Sequence, residues 1–148
     1  MKAIDRRAAE EWAVAHGYTL NSRGLPGLRD SDQIERFTIP KDAGQRVALV
    51  KGHMRAFRDE EEVCIWIYDW SVWPSGQWEH VYDRFRLSYG ISGTIADYPA
   101  HIIPKIEFEA AISTVVYSVL MLWDCHVLGL SGRPFAFYSH DEFGKKNS

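Results

Sequence analysis

Apolar positions along the chain switch between helical and strand periodicity. In Asp5 to His16, Ala8, Trp12 and Ala15 recur at helical spacing and Gly17 stands at a stop position, which predicts a first helix. Tyr18 to Gln33 is rich in Asn, Gly, Pro, Asp and Ser and predicts a loop. "ERFTIP" predicts a brief strand ending at Pro40. Lys41 to Phe57 then sets Ala43, Val47, Val50, Met54 and Phe57 on one helical face, with Asp42 near its start and Lys51, Arg55 and Arg58 towards its end. "EVCIWIYDW", Glu62 to Trp70, is short and dense in β-branched and aromatic residues, the mark of a central strand.

Pro74, Ser75 and Gly76 predict a turn, after which Trp78, Val81, Tyr82 and Phe85 recur as a helix ending near Gly90. Ile91 to Ile103 reads as an irregular loop, with Pro104 in the first turn of the helix that follows. In Lys105 to Leu122 the β-branched residues favour a strand, whereas the length and the opening Glu107 and Glu109 favour a helix, the reading adopted. Trp123 to Leu130 and Pro134 to His140 flank Ser131-Gly132-Arg133, predicting a hairpin with a three-residue loop. That register pairs Asp124 with His140 and His126 with Tyr138 on a polar face, leaving Cys125, Val127, Phe135 and Phe137 on a dry one. The whole predicts an α+β fold: a small antiparallel sheet with a C-terminal β-hairpin, covered by about four helices, in a single globular domain spanning 1–148.

Composition narrows the function classes. The 148 residues carry a net charge of −3, so the chain lacks the basic excess that marks a nucleic-acid surface. Lys51, Arg55, Arg58 and Arg46 read more simply as a solvated face than as phosphate ligands. The N-terminus has no apolar signal region, and the longest apolar stretch, Ala110 to Trp123, is too short for a bilayer and contains Ser113, Thr114 and Ser118. A cytoplasmic protein without membrane contact is the expectation. The two cysteines, Cys64 and Cys125, sit in apolar runs and predict buried free thiols.

Two constellations stand out. Six tryptophans, four of them between Trp66 and Trp78, mark either a core-lining strand or a binding face. Trp70, Trp73 and Trp78, around the Pro-Ser-Gly turn, are the candidate contact residues. The second is "WDCHVLGLSGRPFAFYSHDEF". Asp124, His126 and His140 can serve as orienting carboxylate and general base, with Asp141, Glu142 or His101 completing a metal site. The plainer reading is that an antiparallel hairpin puts its polar residues outward, and that Ser139 or Asp141 bonds backbone N–H groups to close the strand. Strict metal-ligand spacing is absent, so no metal or cofactor is expected. Cys125 and His126 are strand neighbours pointing to opposite faces and cannot act as a dyad.

Over Ile65 to Phe143, "IWIYDWSVWPSGQWEHVYDRFRLSYG", "YPAH", "LWDCHVL" and "YSHDEF" resemble a group of small uncharacterised bacterial proteins. The resemblance carries no catalytic residues with it. In size and charge the chain is similar in general character to immunity proteins that neutralise polymorphic toxins. The leading expectation is therefore a non-enzymatic protein-binding module of that kind. Asp59, Glu60, Glu61, Asp141 and Glu142 would steer it towards a basic toxin, and Trp70, Trp73 and Trp78 or the hairpin would anchor the contact. The alternative is a small hydrolase-type enzyme built on Asp124, His126 and His140.

Overall fold

The computed structural model describes residues 1–27, 33–70 and 77–147. Nine strands and four α-helices follow one another among them: β1 (Lys2–Ile4), α1 (Arg6–Ala15), β2 (Thr19–Leu20), β3 (Pro26–Gly27), β4 (Ile34–Thr38), α2 (Ala43–Met54), β5 (Glu62–Tyr68), α3 (Gln77–Leu87), β6 (Ala100–Pro104), α4 (Phe108–Leu120), β7 (Asp124–Gly129), β8 (Phe135–Tyr138) and β9 (Phe143–Asn147). Seven strands form one sheet in the order β1-β6-β5-β7-β8-β9-β4, every neighbouring pair antiparallel. A separate two-stranded ribbon joins β2 to β3. The fold is α+β, and β5 lies inside the sheet as its aromatic, β-branched composition predicts.

Helices cover both faces of this sheet, which explains why β5 is a continuous apolar run and not an alternating one. On one face Ile65, Ile67, Cys125, Val127 and Tyr138 pack under α2, α3 and α4. On the other, Cys64, Trp66 and Leu128 meet Ala9 and Ala13 of α1, whose small side chains let the helix sit close. The Asp5 carboxylate caps α1 by accepting the Ala8 N–H at 2.8 Å. Gly17, at φ 82°, takes the left-handed conformation that ends it. The Trp-rich strand thus lines the core through Trp66, whereas Trp70 is half-buried against the α4 side and Trp78 is 39% exposed at the start of α3. Trp73 and the Pro74-Ser75-Gly76 turn lie outside the described residues.

Lys105 to Leu122 is helical, entering through a 3-10 turn at Lys105–Glu107. Its two buried small hydroxyls are compatible with that position because each donates back four residues, Thr114 Oγ1 to the Ala110 carbonyl and Ser118 Oγ to that of Thr114. No helix among the described residues is long and apolar enough to cross a membrane.

Several expectations are corrected. The segment read as a loop, Ile91 to Ile103, contains β6, which pairs with both β1 and β5. Pro104 closes that strand and stands just before the 3-10 turn as its N-cap, not within the first turn of the helix. The β7–β8 loop has four residues, Leu130 to Arg133, because the Gly129 N–H bonds the Pro134 carbonyl at 3.0 Å. The register is therefore one residue off the predicted one, with Cys125 opposite Tyr138 and His126 opposite Phe137. That single step exchanges faces: Tyr138 joins Cys125 in the core, and Phe137 stacks on His126 at 4.6 Å. Every residue of β7 is buried and β8 shows only Phe137 in part, so the hairpin has no exposed polar face. Beyond it the chain turns again into β9, missed because "FGKKN" is mostly polar. Arg46, read as solvated, is buried; its guanidinium donates to the Pro40 carbonyl at 2.6 Å and reaches the last carbonyls of α4 at 3.5 Å.

Candidate functional site

The end of the sheet where β5 finishes and β7 begins gathers most of the chemistry. Asp124, the first residue of β7, is 8% exposed. Its Oδ1 accepts two hydrogens from one residue, the backbone N–H of His140 at 2.7 Å and the ring Nδ1–H at 2.7 Å. Burial raises the Asp124 pKa, and the two His140 hydrogen bonds pull against that rise. The expected Asp124–His140 contact therefore forms, although the register that suggested it does not: the chain bends after Tyr138 and carries His140 back over the end of β7.

That bend is the Ser-His-Asp-Glu segment. The Ser139 N–H donates to the Phe143 carbonyl at 2.8 Å, the Glu142 N–H to the Ser139 carbonyl at 3.2 Å, and the Asp141 N–H to Ser139 Oγ at 3.2 Å. Glu142 takes φ 62°, and its carbonyl accepts the Ile39 N–H from beyond β4 at 2.8 Å. The motif is thus a β8–β9 turn anchored by Asp124. Ser139 Oγ accepts a backbone N–H here as expected, that of Asp141, but the turn opens a further strand where the hairpin was read to finish.

Asp69 is the residue that sequence reasoning missed. It follows β5 directly, is exposed, and adopts φ 50°. One ligand-type atom from each of Asp69, Asp124 and His140 lies within 4.8 Å of the others. The Asp69 charge also adds to the upward push on the Asp124 pKa. The only signal in the sequence was a single carboxylate inside an aromatic run, "IYDW". Leu122 and Glu142, the other non-glycine residues with positive φ among those described, stand two residues from Asp124 and His140 respectively. Left-handed geometry costs an ordinary residue roughly 1 kcal/mol or more, so the strain concentrates at this end of the sheet.

His126 shares a face with Asp124 but differs chemically. It is 5% exposed, burial drives its pKa down to about 3, and its Nδ1 has no hydrogen-bond partner. A base that weak is poorly matched to proton abstraction near neutrality. His101 cannot join the group at all. It pairs with Ile65 on the α3 and α4 side, near the Tyr82 hydroxyl at 3.4 Å, and burial lowers its pKa to about 3 as well. Asp141 is exposed, its Oδ1 3.5 Å from His140 Nε2.

Two clefts meet at Tyr68. One, of about 560 Å³, is lined by Arg6, Trp66, Tyr68, Asp69, Trp70 and Pro99; the other, of about 430 Å³, by Arg23, Tyr68, Asp124, His126, Phe137 and Lys145. Arg6, which lines the first, is bonded to Glu10 and to the Arg23 carbonyl.

The other predicted acidic segment lies elsewhere. Glu60 accepts the Ser131 N–H at 2.7 Å and its hydroxyl at 2.6 Å, and Glu61 pairs with Lys105 at 3.2 Å, whose Nζ also approaches the Asp59 carbonyl at 3.5 Å. These three residues precede the start of β5, so its length, roughly 20 Å, separates them from Asp141 and Glu142. Both cysteines are free and buried on opposite faces of the sheet, with thiol pKa values pushed up by desolvation, that of Cys125 to about 12. Neither is a nucleophile in this state. Compared with protein-family models, with curated proteins and with solved structures, the chain finds no match in any of the three.

Proposed function

We propose that the protein is a non-enzymatic binding module that neutralises a basic partner protein, in the manner of a toxin-immunity protein, through the end of the sheet around Trp70. One observation carries this reading: half-buried Tyr68 and Trp70 line a cleft with the exposed carboxylate of Asp69, and Asp69 comes within 4.8 Å of His140, whose Nε2 lies 3.5 Å from the exposed carboxylate of Asp141. An aromatic centre with an anionic rim suits a partner presenting Lys and Arg around an apolar tip. The polar groups that an enzyme would use are already engaged, since Asp124 and His140 hold the turn together. Asp59, Glu60 and Glu61 stabilise the opposite end of the sheet and belong to a different surface.

The test is a capture experiment with the purified chain and lysate of the source organism, run beside Asp141→Lys and Trp70→Ala. One basic protein at a 1:1 ratio, lost with both variants and toxic unless this chain is co-expressed, is the expected result. Equal retention by both variants, or a captured protein without toxicity, overturns the reading.

A second reading, a hydrolase-type enzyme, draws support from the 2.7 Å pairing of Asp124 with His140 beside two clefts. It requires measurable hydrolysis of an ester or phosphodiester by the wild-type chain, abolished in His140→Ala.

A further inference from the structure

We propose that Asp69, Asp124 and His140 form a binding site for a borderline divalent transition-metal ion, with Zn²⁺ as the probe that fits the donor set. Three separate elements supply the donors: the end of β5, the start of β7 and the β8–β9 turn. No spacing rule along the chain could therefore have found them together.

The chemistry selects the class of ion. Two carboxylate oxygens and one imidazole nitrogen are a mixed set that suits Zn²⁺, Mn²⁺ or Fe²⁺, whereas Mg²⁺ and Ca²⁺ favour all-oxygen shells and Cu(I) favours sulfur. Both thiols are buried within the core, and Cys125, although next to Asp124 in β7, points to the opposite face of the sheet. Donors on a tetrahedral Zn²⁺, bonded at 2.0–2.2 Å, stand about 3.4 Å apart. The three atoms here fall within 4.8 Å, and Asp124 Oδ1 and His140 Nδ1, 2.7 Å apart across a hydrogen bond, separate by a few tenths of an ångström as the ion replaces the shared proton. Closing the site also requires a swing of the Asp69 side chain, which is exposed.

The surroundings extend beyond a group of acids. Asp124 is desolvated and lies within 4.8 Å of the exposed carboxylate of Asp69, with one imidazole beside them, an excess of negative charge that a cation would relieve. His140 has an outer partner as well. With Nδ1 on the metal, its proton moves to Nε2, which faces Asp141 Oδ1 at 3.5 Å, the carboxylate–histidine–metal arrangement that orients a ligating ring. The clefts lined by Asp69 and by Asp124 leave the remaining coordination positions open to water or to a ligand. Bound there, the ion ties the end of β5 to the terminal turn and sets the geometry of the anionic rim. The inference stands independently of the binding reading above.

The experiment is calorimetric titration of Zn²⁺ into the untagged, chelator-treated full chain and into Asp69→Asn. Asn tolerates the left-handed conformation at 69, so this variant keeps the fold, which circular dichroism checks. One equivalent of Zn²⁺ bound by the wild type, with affinity at least tenfold weaker in Asp69→Asn, is expected. X-ray absorption of the complex should show one imidazole with oxygen neighbours. Absence of stoichiometric binding, equal affinity in Asp69→Asn, or sulfur in the first shell overturns the site.

Discussion

Asp124 is the residue on which the end of the sheet depends. It accepts both hydrogens that His140 offers from a largely buried position, so truncation leaves two donors without an acceptor. Asp124→Ala is expected to lower unfolding free energy by about 2–3 kcal/mol, and Asp124→Asn by less, because its side-chain oxygen still accepts the backbone N–H. Urea unfolding of the two variants measures the difference. The buried histidines give a second expectation. Burial sets the folded pKa of His101 and His126 at about 3, below the ordinary 6.5, so the unfolded chain takes up protons first as pH falls. Their contribution is complete above pH 6.5 and is lost as pH falls through that value towards 3, at up to about 1.4 kcal/mol per pH unit for each ring. His126→Leu should flatten the stability profile between pH 4 and 6 by one proton's worth; an unchanged slope would show that His126 titrates normally.

At the scale of elements, the local pattern and the packing partners agree where the element is long and disagree where it is short. Helix α1 follows from its cap and spacing, α4 from its length and opening acidic residues, and β5 from its aromatic, β-branched run, all properties of contiguous residues. The strand β6 was hidden because Pro99 and Pro104 bracket only a few apolar residues, and its existence rests on pairing with β1 and β5, both distant in sequence. The strand β9 is likewise made by its neighbours. Gly144 allows its close approach, since a Cβ there would meet Phe37 and the Phe137 carbonyl oxygen, the latter at 2.5 Å. Gly144→Ala is therefore expected to cost about 1–3 kcal/mol through overpacking. Trp66 within β5 and Trp70 just beyond it separate in the same way. Trp66→Ala should cost about 3–5 kcal/mol from the core, and half-buried Trp70→Ala far less, so thermal unfolding of the pair checks which one belongs to the surface.

Across the whole molecule, charge is distributed by the antiparallel sheet. Asp59, Glu60 and Glu61 stand at one end, where Ser131 and Lys105 engage them, and Asp69, Asp141 and Glu142 at the other. If the second end receives a basic partner, Asp141→Lys should slow association roughly tenfold at low salt and little at high salt, whereas Glu61→Lys should leave it unchanged; stopped-flow mixing distinguishes them. By itself the sequence determined the α+β class, the four α-helices, the inner position of β5, the burial of both thiols and the region in which Asp124 and His140 lie, because these depend on the periodicity and polarity of adjacent residues. Only the tertiary structure decided the hairpin register, the burial of both sheet faces, the exchange of Tyr138 and Phe137, the exclusion of His101 and the entry of Asp69. Each depends on pairings between distant segments, and in a sheet a one-residue step reverses which side chains meet.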